Sequence, residues 1–291
     1  MINRRRAPSS SVSSEKKLAG HSYEDEFANI IGGKTVSGTG KADVIGPNED
    51  VYSIKSGKKW QVFLYSYDTI IASKYLNIFS SLQEAYPKDA HKYFQDREKV
   101  ISYKEKYGEK NGKESLKHLT NQSVSIALGS NIYIKAKEEV QKNVPQICKK
   151  LEDKSILFNI LKEAIFKNNE VRYLVVMDSH YLKDGKFKIF FKDDILEIFS
   201  KYSNVSPSGV GKVSVDFNVP GQKVNINYKK NGKDKNLCHF EMRVSSEKAY
   251  RLVLLNMHSQ DALRLLTKNL TSFESNHPKV VLFGQARNIS F

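Results

Sequence analysis

Two alternating segments around a short turn constrain the fold most strongly. Val224–Tyr228 and Leu237–Val244 each alternate apolar with polar residues, which is the pattern of strands with one buried face. Asn231-Gly232 lies between them, and this dipeptide is typical of a two-residue hairpin turn. Because Val213–Phe217 alternates in the same way, the C-terminal third is predicted to contain an antiparallel β-meander.

The rest of the chain mixes strand and helix patterns. Ala42–Ile45 and Val51–Ile54 predict two short strands around a turn, and the apolar run Tyr173–Met177 predicts a buried strand. Asp261–Leu270 has the periodicity of a helix. Since both element types occur from start to end, the sequence predicts an α/β or α+β protein.

The composition and hydrophobic periodicity of the sequence change along the chain and predict three parts. Residues 1–18 contain Arg4–Arg6 and a serine-rich stretch without hydrophobic periodicity, so we expect a disordered basic tail. Residues 19–204 form the predicted core. Residues 205–291 form a β-rich part, which we expect to pack on the same domain.

The charge balance favours a polyanionic partner. Lysine and arginine number 47 and aspartate and glutamate 32, which gives a net charge of +15. A chain this basic most often binds nucleic acid. A general effect of composition on solubility is the alternative explanation.

Several classes of protein are disfavoured by what the sequence lacks. Its apolar runs are far shorter than the ~18 residues that span a bilayer, and we expect neither a secretory signal nor a membrane partner. Two cysteines, Cys148 and Cys238, are too few for a disulfide framework or a four-cysteine metal site. A reduced, cytoplasmic setting is therefore expected.

Residues 20–65 carry the candidate chemistry. Ser53 and Lys55 are two apart on a predicted strand and so point to the same face. The neighbouring strand can place Asp43 beside them, and the preceding helix can bring in Glu24. Carboxylates bind Mg²⁺, which stabilises charge on a phosphate and activates water, and a lysine can orient that water. The set predicts Mg²⁺-dependent hydrolysis of phosphodiesters.

The order of these residues resembles that of the PD-(D/E)xK nuclease superfamily. The resemblance implies a mixed central sheet flanked by helices, and Mg²⁺-dependent cleavage of double-stranded DNA. Two positions depart from the family pattern, because Ser53 stands where an acid is usual and Ala42 where proline is usual. The motifs that carry the resemblance are Gly20-x-x-x-Glu24, Gly40-Lys41-Ala42-Asp43 and Ser53-Ile54-Lys55.

The resemblance also implies roles for individual residues. Asp43 would be the main metal ligand and Lys55 would position the attacking water, with Ser53 replacing the usual carboxylate. Gln61 would support Lys55 or the phosphate, since Gln61-x-x-x-Tyr65 is similar to an element that follows the catalytic lysine in RecB-like exonucleases.

The missing carboxylate must then come from a helix. By analogy with restriction enzymes that carry Ser-x-Lys, Glu24, Glu26 or Glu84 would complete the metal site. Glu24 is preferred because it also matches the family's helix position.

A second resemblance bears on the kind of nuclease. Residues 171–203 resemble the middle of a small type II restriction endonuclease in their order of elements. A sequence-specific restriction enzyme, as a possible homodimer, is therefore the first expectation. A homing, phage or repair nuclease of the same superfamily is the alternative in chemistry. A non-catalytic DNA-binding protein is the alternative in class, and the serine at position 53 favours it.

Basic residues in two places are candidate phosphate contacts. Lys58 and Lys59 follow the catalytic motif and would flank the scissile phosphate. A solvated basic face is the alternative reading. The second cluster lies on or near the predicted hairpin and consists of Lys223, Lys229, Lys230, Lys233 and Lys235.

Base recognition is expected in the meander, over residues 205–244, because a two-stranded ribbon can enter the major groove. His239, Glu241 and Arg243 would share one strand face, with Arg243 the candidate for reading a guanine. For these three residues, an ordinary solvated sheet face is the competing interpretation.

Overall fold

The structure, a computed structural model, describes residues 10–36, 41–86, 130–167, 170–177, 181–207, 223–243 and 252–289. Residues 1–9 of the predicted tail and the predicted strand Val213–Phe217 lie outside these residues. Helices and strands are mixed, so the predicted α+β class is confirmed.

Twelve strands and seven α-helices occur in the described residues. None of these helices is long and apolar enough to cross a bilayer. The strands are β1 (Lys34–Thr35), β2 (Val44–Ile45), β3 (Val51–Ser56), β4 (Lys59–Tyr65), β5 (Tyr173–Met177), β6 (Phe187–Phe191), β7 (Ser203–Pro207), β8 (Lys223–Lys230), β9 (Lys233–Arg243), β10 (Leu252–His258), β11 (Ser272–Glu274) and β12 (Val280–Phe283). The helices are α1 (Ser10–Ile31), α2 (Tyr67–Ala72), α3 (Ser80–Glu84), α4 (Ser130–Leu151), α5 (Lys154–Phe166), α6 (Lys192–Tyr202) and α7 (Ser259–Asn269).

The chain divides into two compact units. Each unit contains strands that are far apart in sequence, so the units do not follow the predicted division at residue 204. The first unit consists of Met1–Trp60, Leu161–Lys201 and His258–Phe291, and the second of Gln61–Ile160 and Tyr202–Met257.

Helix α1 begins earlier than the sequence predicts. The tail was expected to reach residue 18, whereas α1 begins at Ser10. Glu15–Leu18 consists of good helix formers, which favour extension of the helix into the serine-rich stretch. The helix ends at Ile31, because Gly32 adopts a left-handed conformation with φ of 66°.

The first unit contains a mixed seven-stranded sheet in the order β1-β2-β3-β5-β6-β12-β11. Strands β3 and β5 pair in parallel, as do β6 and β12, and the other neighbours are antiparallel. Every residue of β5 is buried, which explains why its sequence is a continuous apolar run.

Helix α1 covers one face of this sheet. The ring centroid of Phe27 lies 5.3 Å from that of Tyr52 and 5.3 Å from that of Phe187. Successive residues of a strand point to opposite faces, so Ser53 and Lys55 lie on the face opposite to Tyr52. The packing of α1 therefore leaves the Ser53 face of β3 to other elements.

The second unit contains a five-stranded sheet in the order β4-β10-β9-β8-β7. Strands β7 to β10 pair as consecutive antiparallel neighbours, which confirms the predicted meander. Residues such as Val224 and Ile226 are buried on one face, where Phe240 lies 4.4 Å from the ring of Phe79. The opposite face carries polar residues such as His239 and Glu241 beside the buried Leu254.

Candidate functional site

Asp43, Ser53 and Lys55 come together on one face of the first sheet. Asp43 Oδ2 accepts hydrogen bonds from Ser53 Oγ at 3.0 Å, from the Ile54 backbone N–H at 2.6 Å and from Lys55 Nζ at 3.2 Å. The antiparallel register pairs Val44 with Tyr52 and so sets Asp43 beside Ser53. We call Asp43, Ser53 and Lys55 the Asp43 cluster.

One oxygen of this carboxylate accepts no hydrogen bond from the described residues. All hydrogen bonds to Asp43 from described residues fall on Oδ2, so Oδ1 has no donor among them. The side chains of Asp43 and Lys55 are each 20% exposed, whereas Ser53 is buried. Since oxygen ligands suit hard cations, this partly exposed carboxylate can bind one.

The ammonium group of Lys55 is held in place by two acceptors. Besides Asp43, it donates to the backbone oxygen of Ile54 at 3.1 Å. Its charge is thus fixed next to the carboxylate at a partly exposed position, where it can attract an anionic substrate.

Sequence reasoning missed Lys41, which lies close to the cluster. Lys41 is buried, and its Nζ donates to the backbone oxygen of Ala164 in the last turn of α5. Burial, reinforced by the positive charge of nearby Lys55, lowers the pKa of Lys41 to about 6. The Gly40-Lys41-Ala42-Asp43 motif contains this lysine, but no sequence signal indicates a partner 123 residues away.

Glu24 is not joined to the Asp43 cluster by any contact within the described residues. Its Oε2 lies 2.9 Å from His21 Nδ1, on the same helix. That helix, α1, packs against the sheet face opposite to Ser53. The structure therefore provides no contact that supports Glu24 as a helper ligand.

The two alternative glutamates have other partners. Glu26 Oε1 forms an ion pair with Lys279 Nζ at 2.6 Å. Glu84 belongs to the second unit, where it accepts a hydrogen bond from the Tyr67 hydroxyl at 2.8 Å. Neither glutamate is brought to Asp43 by a contact between described residues.

The donor set of the Asp43 cluster consists of oxygen atoms, which suit hard cations. Over the described ranges, no group of three or more His, Cys, Asp or Glu side chains could hold a metal ion. The Asp43 cluster offers one carboxylate and one hydroxyl. Mg²⁺ commonly keeps several waters and binds one or two carboxylates plus substrate phosphate. The cluster fits a Mg²⁺ ion whose remaining ligands are waters and phosphate.

Other predicted residues near the motif lie after β3. Lys58 is exposed in the turn between β3 and β4, and Lys59 is exposed at the start of β4. Gln61 belongs to β4, but its side chain lies outside the described part of the molecule. The Tyr65 side chain is buried at the end of the same strand.

The predicted recognition residues of the second unit have mixed outcomes. Lys229 is exposed and forms an ion pair with Asp234 at 3.0 Å. Lys230 is partly exposed at the end of β8. Arg243 ends β9, and its side chain lies outside the described residues.

His239 and Glu241 are buried together on the polar face of the second sheet. Glu241 Oε2 lies 2.6 Å from Lys223 Nζ and 3.6 Å from His239 Nε2, in ion pairs rather than well-aligned hydrogen bonds. Asn256 Nδ2 donates to Glu241 Oε1 at 3.0 Å. We call Lys223, His239, Glu241 and Asn256 the Glu241 cluster.

The electrostatics of the Glu241 cluster favour the ionised carboxylate. Burial by itself would raise the pKa of Glu241, but the interactions with His239 and Lys223 outweigh it and lower the pKa to about 2. Since His239 and Glu241 are 7% and 8% exposed, a base edge outside the protein has little access to their polar atoms.

Comparisons with known proteins identify no relative. A scan against protein-family models finds no match. Searches of curated proteins and of solved structures find no match either. The function is therefore inferred from the sequence motifs and the geometry of the site.

Proposed function

We propose that the protein is a Mg²⁺-dependent endonuclease of double-stranded DNA, a hydrolase of the PD-(D/E)xK type that acts as a type II restriction enzyme. The observation that carries the proposal is the Asp43 cluster, in which a carboxylate and an ammonium meet on one sheet face. The mixed sheet agrees with the fold that the resemblance implies. The net charge of +15 suits a polyanionic substrate.

Each residue of the cluster has a distinct task in this proposal. Asp43 would hold Mg²⁺, while Ser53 and the Ile54 N–H orient its carboxylate. When bound, Mg²⁺ supplies positive charge beside the reacting phosphate and lowers the pKa of water in its coordination shell. Lys55 orients the attacking water and offsets the negative charge that develops on the phosphate.

Substrate contacts outside the cluster are also part of the proposal. Lys58 and Lys59 are exposed directly after the strand that carries Lys55, so they can bind phosphates next to the scissile one. Arg243 remains the candidate for reading a guanine, since it ends a strand of the predicted recognition sheet.

Plasmid cleavage by the purified protein in Mg²⁺ tests the catalytic assignment. We expect Asp43→Asn and Lys55→Met each to lower the cleavage rate at least about 100-fold, because the charges they remove contribute several kcal/mol at the transition state. DNA binding should be retained in both variants.

Two matched variants control for the loss of a surface charge. Glu274 and Lys142 are 76% and 71% exposed, so Glu274→Gln and Lys142→Met should cleave like the wild type. Full cleavage by either Asp43→Asn or Lys55→Met would reject the catalytic assignment.

The pattern of fragments separates the kinds of nuclease. Discrete fragments from a short recurring site would indicate restriction. A single rare cut would indicate a homing enzyme, and loss that requires DNA ends would indicate a repair or phage exonuclease. The same digestion therefore decides the biological role within the superfamily.

A non-catalytic DNA-binding protein is the second candidate. It is favoured by the serine at position 53, because the Asp43 cluster holds a single carboxylate. Salt-sensitive binding without cleavage in Mg²⁺ or Mn²⁺ would support this candidate.

The proposal includes an assembly and a location. A palindromic site would be cut by a homodimer, which light scattering would detect as twice the 33.2 kDa chain mass. A cytoplasmic location is proposed because Cys148 and Cys238 are both free and buried. Burial raises the pKa of Cys148 to about 12, so this thiol is unreactive at neutral pH.

A further inference from the structure

The hairpin between β8 and β9 has a fixed shape. Asn231 and Gly232 form its turn with φ values of 51° and 74°, which match the type I′ turn that holds two strands in tight register. Across the turn, Lys230 pairs with Lys233, and Lys229 pairs with Asp234. The positions of the side chains at the tip therefore follow from the register.

The two faces of this hairpin carry different charges. Tyr228 pairs with Lys235, so alternation along the strands puts Lys230, Lys233 and Lys235 on one face. Lys229 and Asp234 lie on the other face. We call Lys230, Lys233 and Lys235 the lysine face.

The opposite face is neutralised by its own contacts. Lys229 Nζ lies 3.0 Å from Asp234 Oδ1, and the Asn204 side-chain amide also donates to Asp234 at 2.9 Å. Farther along this face, Lys223 is paired with Glu241 at 2.6 Å. Each of these lysines therefore has a carboxylate partner.

The lysine face has no such neutralisation. Among described residues, none of its three lysines has an acidic partner. Lys230 and Lys233 are directly opposite each other, and like charges in this position destabilise a strand pair. Lys233 and Lys235 are exposed and Lys230 is partly exposed, so a polyanion can reach all three.

We propose that the lysine face binds the phosphate backbone of duplex DNA. This proposal rests on the nucleic-acid substrate proposed above and names a surface that holds it. Lysine is a mobile point charge and suits phosphates better than base edges. Lys229 contributes less than these lysines, because Asp234 offsets its charge.

Binding of the full-length chain to a 30-base-pair duplex, measured against NaCl concentration without divalent ions, tests the proposal. Each phosphate contact contributes about 0.9 to the slope of log K against log salt. The triple variant Lys230→Gln, Lys233→Gln, Lys235→Gln should therefore reduce this slope by about 2 to 3 and weaken binding roughly 10-fold or more at low salt.

Lys229→Gln is the matched control, because it removes one lysine from the same hairpin on the paired face. Its slope should equal that of the wild type. As a second variant, Lys233→Glu should weaken binding more than Lys229→Glu. Thermal unfolding of each variant checks that the hairpin is retained.

Three results would overturn the proposal. If the triple variant has the wild-type salt slope, the lysine face does not bind DNA. If Lys229→Gln binds as weakly as the triple variant, the two faces do not differ in DNA binding. Binding of the wild type to phosphatidylserine vesicles but not to duplex DNA would replace nucleic acid by a membrane.

The outcome is independent of cleavage. If the wild type does not cut DNA in Mg²⁺ but the triple variant loses its salt slope, the lysine face stands and the nuclease proposal fails. If Asp43→Asn abolishes cleavage but the triple variant binds normally, the nuclease proposal stands and the lysine-face proposal fails.

Discussion

Each of the two sheets holds a carboxylate next to a lysine, but the two sites differ in what remains open. In the Asp43 cluster all described hydrogen bonds fall on one carboxylate oxygen, and the side chain is 20% exposed. In the Glu241 cluster both oxygens are contacted, by Asn256 on one and by Lys223 and His239 on the other, and the side chain is 10% exposed.

This difference indicates that the Asp43 cluster can bind a ligand, whereas the carboxylate of the Glu241 cluster is satisfied by its neighbours. A carboxylate with an unused oxygen at a partly exposed position can bind a cation. A buried carboxylate whose neighbours satisfy it stabilises the fold and loses energy when it is altered. Polar residue types alone do not distinguish the two, but the contacts around each carboxylate do.

Replacing each carboxylate by its amide is the strongest way to break this comparison. Asp43→Asn should lower cleavage at least about 100-fold, since it removes the charge proposed to hold Mg²⁺. Glu241→Gln should leave the cleavage rate unchanged but lower the free energy of unfolding by about 3 kcal/mol at pH 7. Plasmid cleavage and urea unfolding of both variants measure the two effects.

The opposite pattern would contradict the comparison. If Glu241→Gln stopped cleavage at a temperature where it remains folded, the Glu241 cluster would have a catalytic role. Circular dichroism of each variant under assay conditions confirms that the protein is folded.

The pH dependence of stability tests whether ionised Glu241 stabilises the fold. Its pKa falls from 4.5 to about 2 on folding. The unfolded chain therefore takes up this proton first on acidification, and the stabilisation present above about pH 5 is lost as pH falls toward 2. The difference in unfolding free energy between wild type and Glu241→Gln should shrink over this range. A constant difference would show that the ionised carboxylate is not its source.

For Lys41, which lies near the Asp43 cluster, replacement should raise the free energy of unfolding rather than lower it. Its pKa falls from 10.5 to about 6 on folding, mainly through burial. Between these values the unfolded chain binds a proton that the folded chain lacks, so this lysine costs stability below about pH 6 and the cost is relieved toward pH 10. Lys41→Met should be more stable than wild type by about 1 to 3 kcal/mol at pH 6 to 7.

The advantage of Lys41→Met should disappear at high pH. There the neutral amine of the wild type still donates to Ala164, and methionine cannot. Urea unfolding of both proteins from pH 6 to 10 follows the difference. A variant that is less stable at neutral pH would show that the charged lysine is stabilised by the fold.

The smallest expected effect comes from restoring an acid at position 53. Ser53 Oγ lies 3.0 Å from Asp43 Oδ2, so Ser53→Asp places two carboxylates side by side and destabilises the metal-free protein. Mg²⁺ should offset this repulsion and stabilise the variant by about 1 kcal/mol at five times the variant's Kd, and stabilise the wild type by less. Thermal unfolding with and without Mg²⁺ measures it, with Ser53→Asn as the uncharged control. If Mg²⁺ stabilised the wild type, Ser53→Asp and Ser53→Asn equally, the cation would bind outside the Asp43 cluster.

The approach of Asp43 to Lys55 could be predicted because it depends on local features. They are twelve positions apart, and alternation along β3 with an adjacent antiparallel strand is enough to bring them together. The hairpin at Asn231-Gly232 was predictable for the same reason, since the turn residues select its geometry.

Features that depend on distant pairing could not be predicted. The burial of Lys41 depends on Ala164, and β12 joins the first sheet by pairing with β6 across a long stretch of chain. Neither relation leaves a periodic signal in the sequence. The same limit explains why the two units were not anticipated from changes in composition.

The interleaving of the two units governs how the molecule can be divided. The chain passes between them at residues 60/61, 160/161, 201/202 and 257/258. No single cut yields either unit whole, so a truncated gene product would expose unpaired strand edges. During synthesis the first sheet must also wait for Val280–Phe283 to leave the ribosome before β6 gains its second neighbour.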